Sequence, residues 1–83
     1  MKKAAALRYD ATKEKAPRVV AKGQGRSAEN IIKIAQLHNL PIKKDEDLIE
    51  LLSKVELDKE VPEALYRAVA ELFSFIYKVS NKS

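Results

Sequence analysis

The longest amphipathic pattern of the chain lies near its C-terminal end. Apolar residues recur there at helical spacing, at Leu65, Ala68, Val69, Leu72, Phe73, Ile76 and Val79. Pro62 suits the first position of a helix, and Glu63 would complement the positive end of the helix dipole. The pattern predicts a long final helix that supplies most of the buried apolar area.

A second helical pattern follows Ser27, a residue type that caps helix N-termini well. Its apolar stripe comprises Ala28, Ile31, Ile32, Ala35 and His38. Asn39 tolerates the left-handed conformation that often ends helices, and Pro41 disfavours helix at the residue before it. We therefore predict a helix over residues 27–38.

A third, shorter helical pattern runs through Leu48, Leu51, Leu52 and Val55. Asp47 with Glu50 three residues later resembles a capping box, and Asp45 is the rival N-cap. Either start predicts a short amphipathic helix. The charged stretch 56–60 then connects it to the final helix.

Residues 3–9 alternate as a strand does, with Ala5 and Leu7 on one face and Ala4 and Ala6 on the other. A polar loop, residues 10–15, separates this run from a second strand over 18–22. Residues 40–43 form a third extended piece, and a strand–helix–strand order with a short connection favours a parallel crossover. We expect one α/β domain over residues 1–83, a small mixed sheet of about three strands packed on two to three helices.

Composition narrows the classes of protein. With 83 residues the hydrophobic core is small, and the absence of cysteine excludes disulfides and thiolate metal sites. Residues 1–26 hold eight Lys/Arg against two acidic residues, a net charge of +6, whereas residues 27–83 carry −2. A basic first third can attract acidic proteins, an anionic membrane or nucleic acid. A solvated sheet edge guarded by lysines is the interpretation that we favour.

The candidate chemical motifs are weak. The run from Gly23 to Ala28 fits a G-x-G-x-x-A dinucleotide motif, but a tight strand-to-helix turn explains both glycines. His38 is the single histidine and has no cysteine or spaced carboxylates as co-ligands. None of the serines lies in a G-x-S-x-G elbow. We predict no catalytic residue, no metal site and no cofactor.

Five segments, in order and without large gaps, resemble the cytoplasmic C-terminal domain of the FlhB family of flagellar and type III secretion export proteins. The strand-like Ala-Ala-Ala-Leu-Arg-Tyr-Asp comes first, and Ala-Pro-Arg-Val-Val-Ala-Lys-Gly follows. An Ala-x-x-Ile-Ile helix start and Leu-Pro-Ile come next. Val-Pro-Glu-Ala-Leu-Tyr-Arg-Ala-Val-Ala-Glu closes the set, which lies at 4–10, 16–23, 28–32, 40–42 and 61–71.

The family's self-cleaving Asn-Pro-Thr-His motif would fall at or before Met1. Cleavage of that kind needs Asn directly before Pro, whereas the prolines here follow Ala16, Leu40 and Val61. In addition, Gly25 stands where the family usually has an acidic residue. The resemblance therefore implies a free-standing homologue of the fragment that follows cleavage, with no enzymatic activity.

Such fragments are implicated in choosing export substrates, in the switch from rod and hook to filament proteins. The resemblance implies partners: a membrane-bound FlhB remainder, other export-gate proteins, and rod or hook substrates or the hook-length control protein. It also implies a cytoplasmic location beside the inner-membrane apparatus. The implied partner-pairing strand comprises Ala4, Ala5, Ala6, Leu7 and Tyr9.

The resemblance further implies a patch that receives export signals, formed by Ala16, Pro17, Ala70 and Phe73. The alternative is that these four residues are simply core. A second hypothesis for the whole chain is a small basic nucleic-acid-binding domain, although Tyr9 has no aromatic neighbour in its region for a stacking platform. Nucleic acid is therefore not an expected partner.

Overall fold

The computed structural model describes residues 2–10 and 12–80, the last three without their side chains. Strands β1 (Lys3–Arg8) and β2 (Arg18–Gln24) precede three helices, α1 (Arg26–Leu37), α2 (Glu46–Leu52) and α3 (Tyr66–Ser80). A short 3-10 turn, Glu63–Leu65, leads into α3. The α/β class and the long C-terminal helix are thus confirmed.

The sheet differs from the prediction in its strand number and direction. Its two described strands pair antiparallel, with Lys3 opposite Gln24 and a bulge between Ala6 and Leu7. The predicted third strand at 40–43 and its parallel crossover are wrong, because this segment forms no strand pairing. Pro41 lacks an amide hydrogen, and the side chains of Leu40 and Ile42 are exposed rather than buried.

The main core lies on one face of the sheet. Its seven buried residues are Val19, Leu48, Leu52, Val55, Val61, Leu65 and Val69. Ala5 and Leu7 of β1 pack against it together with Ala68, Leu72 and Phe73 of α3. The predicted stripe of the final helix therefore faces the core from Leu65 to Phe73. Ile76 is half-buried but not part of this core, and the side chain of Val79 lies outside the described residues.

Helix α1 covers the other face of the sheet. A Cβ on Gly23, which pairs with Ala4, would come within 2.6 Å of the Ser27 Cβ, so the first turn of α1 lies directly against this strand. Gly25 precedes the helix with φ 56° and ψ −122°, a conformation that glycine adopts at little cost. The two glycines thus serve a tight strand-to-helix turn, which is the structural explanation given above for the G-x-G motif.

The helix ends follow local capping chemistry, with one correction. Helix α1 begins at Arg26, so Ser27 is not its cap, since the glycine turn brings the chain into the helix one residue earlier. Asn39 adopts the predicted left-handed conformation with φ 56°, and the Leu40 amide donates to the Ala35 carbonyl. Asp45 caps α2 by accepting the Leu48 amide at 3.0 Å.

Candidate functional site

The groove between the β1–β2 loop and α3 is an open cavity of about 540 Å³. The loop side contributes Tyr9, Lys15, Ala16 and Pro17. The α3 side contributes Tyr66, Val69, Ala70, Phe73, Ser74 and Tyr77. The four patch residues predicted from the resemblance, Ala16, Pro17, Ala70 and Phe73, therefore line one groove.

The floor of the groove is apolar and its rim is aromatic. Ala16 is 2% exposed and Val69 is 1% exposed, so both form the floor. Tyr77 is 70% exposed and Tyr66 is 42% exposed, at the rim. The ring centroids of Tyr9 and Phe73 lie 6.1 Å apart and are tilted by 57°, a favourable aromatic geometry that joins the two walls.

The core alternative for the four patch residues holds only in part. Ala16 is buried, Pro17 and Phe73 are half-buried, and Ala70 is exposed to the groove. The tyrosine rim was not predicted from the sequence, although a helical signal was present. Tyr66, Ala70, Phe73 and Tyr77 are spaced by four, three and four residues, a second stripe beside the core stripe of α3.

The β1–β2 loop is fixed by an ion-pair cluster around Glu14, whose side chain is 4% exposed. The Arg18 Nε donates to Glu14 Oε2 at 2.8 Å, and the Arg8 Nε lies 3.9 Å from Glu14 Oε1. The hydrogen bond from Arg18 is the main reason that the pKa of Glu14 lies below its ordinary value. At the start of the loop, the Asp10 carboxylate accepts hydrogen bonds from the Thr12 hydroxyl and amide, which lower the pKa of Asp10.

The second predicted site, the partner-pairing strand, has an open edge. The Gly25 amide donates to the Lys2 carbonyl at 2.7 Å, which sets the alternation along β1. The backbone groups of Ala4 and Ala6 therefore bond to β2, and those of Lys3, Ala5 and Leu7 point away from it. Tyr9 lies beyond the strand and lines the groove instead.

No hydrogen bond within residues 2–10 and 12–80 occupies the outward backbone groups of Ala5 or Leu7. The strand that could add to a partner's sheet is therefore narrower than the predicted set. Its available groups are those of Lys3, Ala5 and Leu7. The Lys3 side chain is tied to α2, because its Nζ lies 2.6 Å from Glu50 Oε1.

The basic first third is less available to nucleic acid than its charge indicates. Arg8 and Arg18 surround Glu14, and Lys3 pairs with Glu50. The Lys22 Nζ donates to the Val55 carbonyl at 2.7 Å. Half of the eight cations in that segment thus have partners within the chain, and the aromatic rim faces an apolar groove rather than a basic stripe.

The described residues also bear on metal binding and on membrane crossing. No group of three potential ligands there is placed to hold a metal ion. Within the same part of the chain, none of the helices combines the length and apolarity that a membrane crossing demands.

Comparisons with known proteins agree with these features. Residues 1–76 match the model of the FlhB HrpN YscU SpaS family. The chain is 53% identical over 81 residues to the protein YlqH of Bacillus subtilis, covering 98% of this chain and 87% of YlqH. It is 40% identical to the flagellar biosynthetic protein FlhB of Aquifex aeolicus, over 88% of this chain but 21% of that protein. The chain thus spans about a fifth of that FlhB.

Solved structures show the same fold. The cytoplasmic domain of FlhB from Shewanella putrefaciens superposes with a TM-score of 0.89 at 29% identity, covering 98% of this chain and 66% of that one. A mutated EscU/SpaS C-terminal domain superposes with a TM-score of 0.87 at 26% identity, covering 92% of this chain and 95% of that one.

Proposed function

Because the chain belongs to the FlhB HrpN YscU SpaS family, we propose that it is a non-enzymatic component of a flagellar type III protein export apparatus. It acts there as the FlhB fragment that follows self-cleavage does, in recognising export substrates and in switching between substrate classes. Its place of action is the cytoplasmic side of the inner-membrane apparatus. Binding is the activity that we assign to residues 2–80, on the basis of the groove and the open edge of β1.

The groove between the β1–β2 loop and α3 supports the recognition role most strongly. An apolar floor with an aromatic rim suits an apolar side chain of a short peptide, because burial there removes apolar surface from water. We propose that the occupant is the export signal of a rod or hook protein, or a segment of the hook-length control protein.

The open edge of β1 supports the docking role. Outward backbone groups on an edge strand can pair with an extended segment of another protein, and the main-chain hydrogen bonds then supply affinity. We propose that the membrane-bound FlhB remainder supplies this segment, and that Lys3, Ala5 and Leu7 provide the backbone groups. Other export-gate proteins would then be held close to the groove.

An NMR titration tests the recognition role. A synthetic peptide with the N-terminal export signal of a rod protein should shift the amide signals of residues 15–17 and 70–77. Ala70→Glu should weaken binding at least about tenfold, since a desolvated, unpaired carboxylate readily costs the 1.4 kcal/mol that a tenfold loss requires. Ala64→Glu is the matched control, because Ala64 is exposed but does not line the groove.

Two results would count against the recognition role. One is a rod or hook peptide that shifts no amide near Ala16 or Phe73. The other is equal weakening by Ala70→Glu and Ala64→Glu. The nucleic-acid hypothesis requires instead a steep salt dependence of binding to arbitrary DNA, which we do not expect, since the cations around Glu14 are already paired.

A further inference from the structure

Glu14 is unusual among the charged residues that the structure describes, because it is the buried one. It lies in the loop between β1 and β2, and its side chain is 4% exposed. The carboxylate accepts from Arg18 Nε at 2.8 Å and from the Asp10 amide at 3.2 Å. These hydrogen bonds favour the loop arrangement in which the carboxylate is buried, because movement of the loop would break them.

Arg18 extends the cluster across the molecule. Besides bonding to Glu14, it donates through Nη1 to the carbonyl of Asp58. Asp58 in turn donates its amide to the Val19 carbonyl at 2.7 Å, in the connector that leads to α3. The cluster therefore links the loop to the segment from which the opposite wall of the groove begins.

The groove wall follows Glu14 directly along the chain. Lys15, Ala16 and Pro17 line the groove on the loop side, and the Pro17 carbonyl accepts the Val61 amide at 2.7 Å. Glu14 itself is not among the groove-lining residues and is not part of the main core cluster. Glu14 therefore adjoins the groove wall along the chain without lining the groove itself.

We propose that Glu14 is the positioning residue of the groove: through Arg18 its buried carboxylate fixes residues 15–17 against α3 and so sets peptide affinity. The inference rests on the proposed function for the peptide, but the position of the wall is measurable without a peptide. Loss of the charge frees the loop, widens the groove and separates the Tyr9 ring from the Phe73 ring.

The test compares Glu14→Gln with Glu50→Gln. Both changes remove one carboxylate from an ion pair with β1 or β2, but the Glu50 pair with Lys3, at 2.6 Å, involves no groove residue. In the full chain, Glu14→Gln should weaken or abolish the nuclear Overhauser contacts between the Tyr9 and Phe73 rings and shift the amides of residues 15–17. It should also weaken binding of the rod-protein peptide at least about fivefold. Glu50→Gln should change neither readout.

A native methyl spectrum of Val19, Val61 and Val69 shows that each variant is folded. If Glu14→Gln fails to fold, Glu14→Asp replaces it and is compared with Glu50→Asp, with displaced amides at 15–17 expected in the Glu14 variant alone. Retention of the ring contacts and amide positions in the folded Glu14 variant would overturn the proposal. If the unmodified chain binds no peptide, the ring contacts still decide the role of Glu14, and the recognition role fails separately.

Discussion

The two edges of the small sheet differ in how far the chain itself covers them. The connector before α3 closes the outer edge at the start of β2, because the Val19 amide donates to the Lys59 carbonyl at 3.0 Å and Arg18 forms a backbone bridge with Glu60. The outer edge of β1 has no such cover within the described residues, although its Ala5 and Leu7 side chains pack on the same core. The β2 edge is therefore closed by the chain at Arg18 and Val19, whereas the β1 edge presents outward backbone groups that have no partner among the described residues.

The difference indicates how a two-stranded sheet can be stable and still have an edge that can pair with a strand of another protein. The closed edge brings Val19 and Val61 into the core, where both are fully buried, so folding depends on it. The open edge contributes side chains to the core, but its outward backbone groups at Ala5 and Leu7 have no partner within residues 2–10 and 12–80. Open edges risk aggregation unless charges guard them, and Lys3 at the start of β1 fits that role.

Proline substitutions on β1 should separate the two functions of this strand most sharply. Ala6→Pro removes an amide that bonds to β2 and should destabilise the fold by about 3 kcal/mol. Ala5→Pro removes an outward amide, so it should change stability far less while abolishing pairing with the FlhB remainder. Urea denaturation measures the first effect and co-purification the second.

This prediction fails in either of two ways. Equal destabilisation by Ala5→Pro and Ala6→Pro would mean that the outward amide of Ala5 is already used within the chain. Undiminished capture of the FlhB remainder by folded Ala5→Pro protein would mean that docking does not proceed through this edge.

In the connector that closes the β2 edge, a cavity at a buried residue should lower the free energy of unfolding more than a truncation at an exposed residue. Val61 is 1% exposed, and Val61→Ala removes about two methylene equivalents from the core, a loss of about 2 kcal/mol. Leu57→Ala in the same connector should cost within about 0.5 kcal/mol, because Leu57 is half-exposed. Thermal unfolding of both variants checks this, and an equal loss for the two would contradict the difference in burial between Val61 and Leu57.

Acid should weaken the fold through the carboxylates that hold ion pairs. The pKa of Glu14 is lowered mainly by Arg18, and the pKa of Glu50 is lowered mainly by Lys3, relative to an ordinary value of 4.5. Lowered values mean that the stabilisation is present above that pH and is lost as the pH falls through the folded-state pKa.

The melting temperature should therefore decline below pH 4.5, and Glu14→Gln should remove more of that decline than Glu50→Gln. The Glu14 side chain is buried, whereas that of Glu50 is 59% exposed and screened by water. Melting curves between pH 3 and pH 7 measure the difference. An equal pH dependence in all three proteins would contradict a specific role for the buried carboxylate.

The sequence was sufficient where local chemistry decides the structure. The apolar stripe of α3, the left-handed Asn39 and the glycine turn before α1 are all local, and the structure has each of them. The third strand failed because strand pairing depends on a neighbour, which periodicity does not report. For the patch residues, the resemblance placed Ala16, Pro17, Ala70 and Phe73, and the structure brings them into one groove.

The tyrosine rim and the Glu14 cluster were missed for different reasons. The rim residues form a helical stripe that overlaps the core stripe of α3. A hydrophobic pattern alone therefore predicts that these residues belong to the core. The cluster joins residues on a loop, on β1 and on β2, and only the bulge and turn geometry brings Arg8 and Arg18 to the same carboxylate.

Complementation tests the central claim, that this chain docks by the β1 edge and acts as an FlhB C-terminal fragment. In cells whose FlhB ends after its cleavage site, supplying this chain should restore hook protein in the culture medium. Ala5→Pro and Ala70→Glu should fail to restore it, and Ala64→Glu should succeed. Absence of hook protein while the unmodified chain is folded and present in the cells would contradict the account.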